Sequence, residues 1–384
     1  MDAPFIYDRF VTGKNFIARK TECNSLRNLL EHRENICIYE PPKSGKMSLI
    51  QQTLFNMRMA GRQYLAPGAS LFNVRNTARF LTKLGSAVIR QAASTPAEYE
   101  DAVRNMLAGT HFTFDQDRFS CCDEILTLTD EPDENDIRKI LALPEAVAEK
   151  ADTDVFVILE EFQDLLSLGE TESERIFRIM QEMFTGRDRT GEHFVSFILT
   201  GSKVNAMKFI FEERKFFHRT VEHIPLLRID NREITDHIMR GFLTGGKVID
   251  QELLSGAVEL FKGNIWYISH FAAVCDSLSK GFMNEGTMMD ALAMVLSVHE
   301  VRFKAMTDDL TVHQLSLLKA ILDGETRFSS VEVVEKYALN SSANVRRVKD
   351  ALKKKEIITF NEKDEPYFLD PLFEYWLEKY YFER

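Results

Sequence analysis

"CIYEPPKSGKMSLIQQTL", Cys37 to Leu54, is the stretch on which the reading of the chain turns. Its start overlaps "NICIYE" (Asn35–Glu40), a short apolar run ending in Pro-Pro, which predicts a strand followed by a loop. Beyond the loop, "KMSLIQQTLFNMRMA" has helical spacing: Ile50, Leu54 and Met57 share a face, with Leu49 beside them. A strand, a loop and a helix with Gly-Lys at the helix start form an arrangement whose backbone N–H groups hold phosphates. The full pattern is G-x-x-x-x-G-K-[ST]. Gly45 and Lys46 are in place, but Glu40 stands where the first glycine belongs and Met47 where the hydroxyl belongs.

Pro42, Lys43, Ser44, Gly45, Lys46, Met47 and Ser48 are therefore the candidate cofactor-binding residues, and ATP or ADP the expected cofactor. Gly45 permits the tight turn, and Lys46 supplies charge to the outer phosphates. The hydroxyl of the full pattern would bind Mg2+; the Met47 thioether is a poor ligand for that hard cation. Ser48 is one residue further on, a rotation of roughly 100° around a helix, so it points elsewhere. Mg2+ is expected to be weakly held. Glu40 brings negative charge toward an anion, which weakens binding unless it faces outward.

Three more apolar runs read as strands: "ASLFNV", "DVFVILEEFQDLL" (Asp154–Leu166) and "HFVSFILTGS" (His193–Ser202). Continuous apolar strands alternating with helices indicate a parallel sheet covered on both faces. Glu160 and Glu161 close the second run. Glu160 takes the place of an acid that orients Mg2+, and is the candidate metal ligand; a solvated strand end is its other reading. Glu161 takes the place of the acid that polarises an attacking water. Thr200 and Ser202, closing the third run, are placed to sense a γ-phosphate. The stretch from "STPAEYED" to "DIRKIL", about 95–145, is polar and reads as an irregular insertion.

After about Leu227 the strand signals fade. "REITDHIMRGFL", "QELLSGAVELFKG" and "NIWYISHFAAVCDSLSKGF" read as helices. From "DDLTVHQLSLLKAILDGE" the order is helix, turn, helix and hairpin, that of a winged helix-turn-helix. The expected domains are a nucleotide-binding domain over 1–227, a helical lid over 228–305 and a winged helix over 306–384. Ser341 to Phe360 carries six bases and two acids. Arg346, Arg347, Lys349 and Lys353 fall on the candidate recognition helix, where they are placed to contact double-stranded DNA. A solvated face is the other reading, and a protein partner the other use of a winged helix.

The 384 residues include 48 basic and 59 acidic side chains, a net charge of −11, which excludes a general nucleic-acid coat. No apolar run approaches the ~18 residues that span a membrane, so no membrane partner is expected. "MDAPFIYDRF" lacks the order of a signal peptide. Five cysteines, an odd number with no zinc spacing, read as reduced thiols of a cytoplasmic protein.

Taken together, "FIARKTECNSLRNLL", "PPKSGKMSLI", "ILEEFQDL", "LTGSKVNAMKFIF" and "FFHRTVEHIPLLRI" resemble the archaeal-type ATPase family, found in archaea and in bacteria such as Bacteroidetes. That family belongs with the AAA+-like and STAND ATPases, and the resemblance covers nearly the whole chain, through "FLDPLFEYWL". It implies an α/β fold: a P-loop NTPase of the ASCE, AAA+-like type, with a parallel sheet, a helical lid and a C-terminal winged helix. It also implies that Lys46 is the phosphate lysine, that Glu160 and Glu161 are the acidic pair, and that Ser202 lies in a sensor turn. Arg219, in "FFHRTVEHIPL", matches an arginine that relatives supply to a neighbour's phosphate in an oligomer; a structural ion pair is its other reading. The Walker motifs are degenerate, and "GNIWYISH" lacks the proline of the family's G-x-P motif. A nucleotide-dependent switch with slow or absent hydrolysis is therefore expected. The alternatives are a pseudo-ATPase scaffold that binds no nucleotide and a winged-helix DNA-binding regulator. No nuclease activity is expected.

Overall fold

A computed structural model describes residues 5–190 and 194–384. Their contacts divide the chain into two compact units. One holds residues 20–42 and 52–226; the other holds the N-terminal segment up to Arg19, Lys43–Gln51 and Leu227–Arg384.

The first unit is built on strands β1 (Ile36–Tyr39), β2 (Tyr64–Leu65), β3 (Gly68–Ser70), β4 (Phe112–Phe114), β5 (Leu126–Leu128), β6 (Asp154–Glu160), β7 (Val195–Gly201) and β8 (Glu222–His223). Six of them form one sheet in the order β2-β6-β7-β1-β8, with β3 also paired to β6. Every pair in it is parallel. Nearly every residue of β1, β6 and β7 is buried, which is why these strands read as unbroken apolar runs. Register sets Tyr39 opposite Gly201 and Leu159 opposite Leu199. The carboxyl ends of β1, β7 and β6 thus share one edge, where parallel α/β sheets place their ligands.

Three stretches differ from their sequence reading. Of "ASLFNV" only Ala69 and Ser70 lie in a strand, as the end of β3. Past Ser70 the chain turns: Leu71 N–H donates to the Glu160 carbonyl, Val74 N–H to the Leu71 carbonyl, and Asn73 adopts φ 58°. The third run pairs over Val195–Gly201, and His193 lies outside the described residues. The insertion is ordered. Thr95 caps a helix over Pro96–Met106 that has proline in its first turn, and β4 and β5 form an antiparallel hairpin. Tyr99 packs on Phe114 and Phe119 with ring centroids 5.9 and 5.2 Å apart. Composition is polar there because these elements bury one narrow face; the cap and the spaced aromatics carry the structure.

The second unit contains helices over Asn231–Thr244, Gln251–Leu260, Ile265–Leu278 and Glu285–Asp308. Short strands β9 (Val248–Ile249) and β10 (Phe282–Met283) pair between them. Helices over Val312–Leu322, Val331–Lys336 and Ser342–Lys354 follow. The antiparallel hairpin of β11 (Ile358–Phe360) and β12 (Pro366–Phe368) and a helix over Pro371–Trp376 come next. One continuous apolar core runs through it, from Phe5 and Phe242 through Phe303 to Leu352 and Phe373. Among the described residues no helix is long and apolar enough to cross a membrane.

Candidate functional site

The loop after β1 leads into a helix over Lys46–Met59, so Lys46 stands at its first position. Gly45 has φ 93°, which only glycine adopts without strain, and Lys43 has φ 65°. A lysine in this left-handed region costs on the order of 1 kcal/mol, and such strain is concentrated where a loop must present its N–H groups. Lys46 is buried and its ammonium lies 3.5 Å from the Ser44 hydroxyl. Met47 is half-buried. The Ser48 hydroxyl accepts a hydrogen bond from Val11 N–H at 3.1 Å, so it fastens the N-terminal segment to this helix. Arg19 braces the loop from the same side, donating to the Ser44 carbonyl at 3.3 Å and to the Leu227 carbonyl at 3.0 Å.

The side chain of Lys43 lies over the Trp266 ring, its ammonium 3.2 Å from the ring centre. Trp266 donates its indole N–H to the Tyr7 carbonyl. Tyr7 in turn stacks on His270 at 4.4 Å, and His299 meets Trp266 edge-on at 5.8 Å. Tyr267 donates to Asp370 at 2.9 Å, and Arg302 donates to the same carboxylate at 2.6 Å. Burial and the nearby Arg302 guanidinium lower the Lys43 pKa. Burial and Lys43 lower that of His270. His299 falls to about 4, through burial first and then Arg302 and Lys43. The two imidazoles are thus neutral at pH 7, beside two cations and the one carboxylate of Asp370.

In the sheet unit, the chain leaves β6 through Glu161, held at φ 56°. The Glu161 carboxylate accepts from Ser202 Oγ at 2.5 Å and from Gln163 Nε2 at 2.6 Å, which ties the end of β6 to the end of β7. A second tie lies beside it: Lys203 donates to buried Asp164 at 2.6 Å, and Asn73 N–H reaches the other carboxylate oxygen at 3.0 Å. Gly201 completes the corner, since an added Cβ would lie 2.6 Å from Gln163 Oε1 and against Met207. Glu160 is half-buried, Thr200 is buried, and Ser202 is committed to Glu161. Gln163, Asp164 and Lys203 escaped the sequence reading; the signal was the polar residues immediately past each strand end in "EEFQD" and "TGSK".

Arg219 is exposed, at φ 65°. On the helix Ser342–Lys354, Val345, Val348 and Leu352 face the core, while Arg346 and Arg347 are exposed. Lys349 and Lys353 are half-buried. The Lys349 ammonium lies 4.9 Å from the centre of the Phe360 ring and 5.1 Å from that of Phe328. His111, Asp133 and Asp136 gather on the sheet unit. Asp136 accepts from His111 Nδ1, His111 N–H and Asp133 N–H, which makes the group a helix cap.

A family model described as "probable winged helix domain" matches residues 301–379. No curated protein sequence matches the chain. Among solved structures, the Walker-type ATPase of Pyrococcus abyssi is similar over 97% of this chain and 99% of its own, at 15% identity and TM-score 0.67. The ORC2 protein of Aeropyrum pernix, in ADPNP–ADP complexes, is similar over 94% of this chain and 93% of its own, at 14% identity and TM-score 0.58. Its ADP form gives 15% identity and TM-score 0.53 over the same shares. The chain has the AAA+-like P-loop ATPase fold with a C-terminal winged helix.

Proposed function

We propose that the chain is a nucleotide-dependent switch of the AAA+ and STAND kind. The loop Pro42–Ser48 binds ATP or ADP, hydrolysis is slow or absent, and the bound state is passed to a winged helix that contacts double-stranded DNA. The observation that carries this reading is the loop itself: Gly45 at φ 93° and Lys46 at the first position of a 14-residue helix. That the similar ORC2 structure holds ADPNP and ADP supports it.

The donor set at the loop does not fit a tightly held Mg2+. Met47 offers sulfur, and the Ser48 hydroxyl is engaged by Val11 N–H. Glu160 would be the remaining metal ligand, and Glu161 the base for any hydrolysis. Nucleotide occupancy rather than turnover is therefore the signal. Arg346 and Arg347, exposed on the third helix of the winged helix, are the first contacts for DNA phosphates. Lys349 and Lys353 are secondary, being half-buried. The domain limits proposed with this function are 1–227, 228–305 and 306–384, in a cytoplasmic protein whose Arg219 serves a neighbouring copy. A protein partner in place of DNA is the outcome if no DNA binds.

Calorimetry with ATP and with ADP tests the reading. Wild type is expected to bind both with little dependence on Mg2+, and Lys46→Ala to bind neither while keeping its fold. Equal binding by Lys46→Ala would mean that the loop is not the site. Met47→Thr is expected to restore Mg2+ dependence and raise hydrolysis. A wild-type turnover in the ordinary range of about 1–10³ per second would overturn the switch.

A further inference from the structure

We infer that Lys43 is a latch: its ammonium rests on the Trp266 ring, and a polyphosphate bound to the loop would draw it off that ring. This rests on the nucleotide reading of the loop, and adds how the lid registers it. Lys43 belongs to the phosphate loop by position, yet its ammonium is 3.2 Å from the centre of an aromatic ring on the helix Ile265–Leu278. A cation over indole is a real but modest attraction. A polyphosphate bound to the same loop offers the ammonium full negative charges, and charge-assisted hydrogen bonds are stronger.

The surroundings favour departure. The ammonium is partly desolvated and shares its corner with the Arg302 guanidinium; both push its pKa down, against a smaller opposing pull from the Asp370 carboxylate. Arg302 already has its partner in Asp370. His270 Nδ1 and His299 Nε2 are buried with no hydrogen-bond partner, so neither balances the cation. Trp266 is in turn held by the Tyr7 carbonyl and packs edge-on against Tyr267 at 4.9 Å. Tyr267 bonds the Asp370 carboxylate, which caps the helix Pro371–Trp376 by accepting from Leu372 N–H and Phe373 N–H. A change at Lys43 thus reaches, through packed side chains, the cap of a helix beyond the winged-helix hairpin.

The chain has two tryptophans, so Trp376→Phe leaves Trp266 as the sole indole emitter. In that background ATP is expected to change Trp266 emission. Lys43→Met, which keeps the aliphatic stem and removes the cation, is expected to show altered emission before ATP is added and no further change after it. Trp266→Leu removes the competing partner and is expected to bind ATP about 2- to 30-fold tighter by calorimetry; Trp266→Phe, with a weaker ring face, is expected to fall between. ATP binding with normal heat but unchanged emission, together with unchanged affinity in both Trp266 variants, would overturn the latch and leave the nucleotide reading standing. No ATP heat from wild type would overturn the nucleotide reading and the latch with it.

Discussion

Gly201 ends β7 at the point where Glu161, Gln163 and Ser202 meet, and it has no room for a side chain. Gly201→Ala is expected to destabilise the sheet unit by about 1–3 kcal/mol, because Met207 and Gln163 must move aside. Chemical denaturation measures this, and an unchanged midpoint would show that the corner yields freely. His111 and Asp136 make a second prediction. The hydrogen bond to Asp136 raises the His111 pKa above its ordinary 6.5. Burial acts to raise Asp136, but hydrogen bonds from the His111 side chain and from the N–H groups of His111 and Asp133 outweigh it, so the net pKa is below 3.8. The His111 contribution is complete below pH 6.5 and is lost as pH rises through the raised folded value. The Asp136 contribution is present above 3.8 and is lost as pH falls through the depressed one. The Tm difference between wild type and His111→Ala is therefore expected to be largest between about pH 4 and 6.5 and to shrink on either side. A difference that is flat from pH 5 to 9 would show that the pair is not ionic.

The helix Ser342–Lys354 divides its faces cleanly enough to separate packing from binding. Leu352→Ala is expected to cost about 2–5 kcal/mol, since Leu352 is fully buried. Replacing Arg346 and Arg347 together by Ala is expected to leave stability within about 0.5 kcal/mol per site. It should also weaken DNA binding and flatten its salt dependence in gel shifts at two ionic strengths. Tight binding unaffected by the double variant would place DNA elsewhere. At this scale the sequence was informative where a single physical demand dominated. β1, β6 and β7 are buried on both faces and are mostly apolar, and the spacing of Val345, Val348 and Leu352 declares one buried side. It was silent where partners are distant in sequence. That Ser48 is fastened by Val11, Glu161 by Ser202 and Lys43 by Trp266 depends on contacts 37 to 223 residues apart, which no local spacing encodes. Lys349 looked like one more base on the exposed face, yet its charge sits between two phenylalanines.

For the whole molecule, a ligand that binds only the folded state adds stability by mass action, about 2.7 kcal/mol at a hundred times its Kd. ATP is therefore expected to raise the Tm of wild type and not that of Lys46→Ala. Two compact units make two transitions possible, and scanning calorimetry rather than a single optical probe shows which of them moves. An ATP scan superimposable on the ligand-free one would argue for the scaffold reading.

The core that runs from Phe242 through Phe303 to Phe373 and Trp376 has a practical meaning for anyone who would study DNA recognition with a fragment. A cut made near residue 301, where the matched winged-helix segment begins, would divide that core and strip the helix Pro371–Trp376 of Tyr267 and Lys262, which bond its Asp370 cap and Glu374. The excised piece would show solvent a greasy flank beside a basic one. It would stick to polyanions and to itself alike, so a retarded band from such a piece would say little about the intact chain.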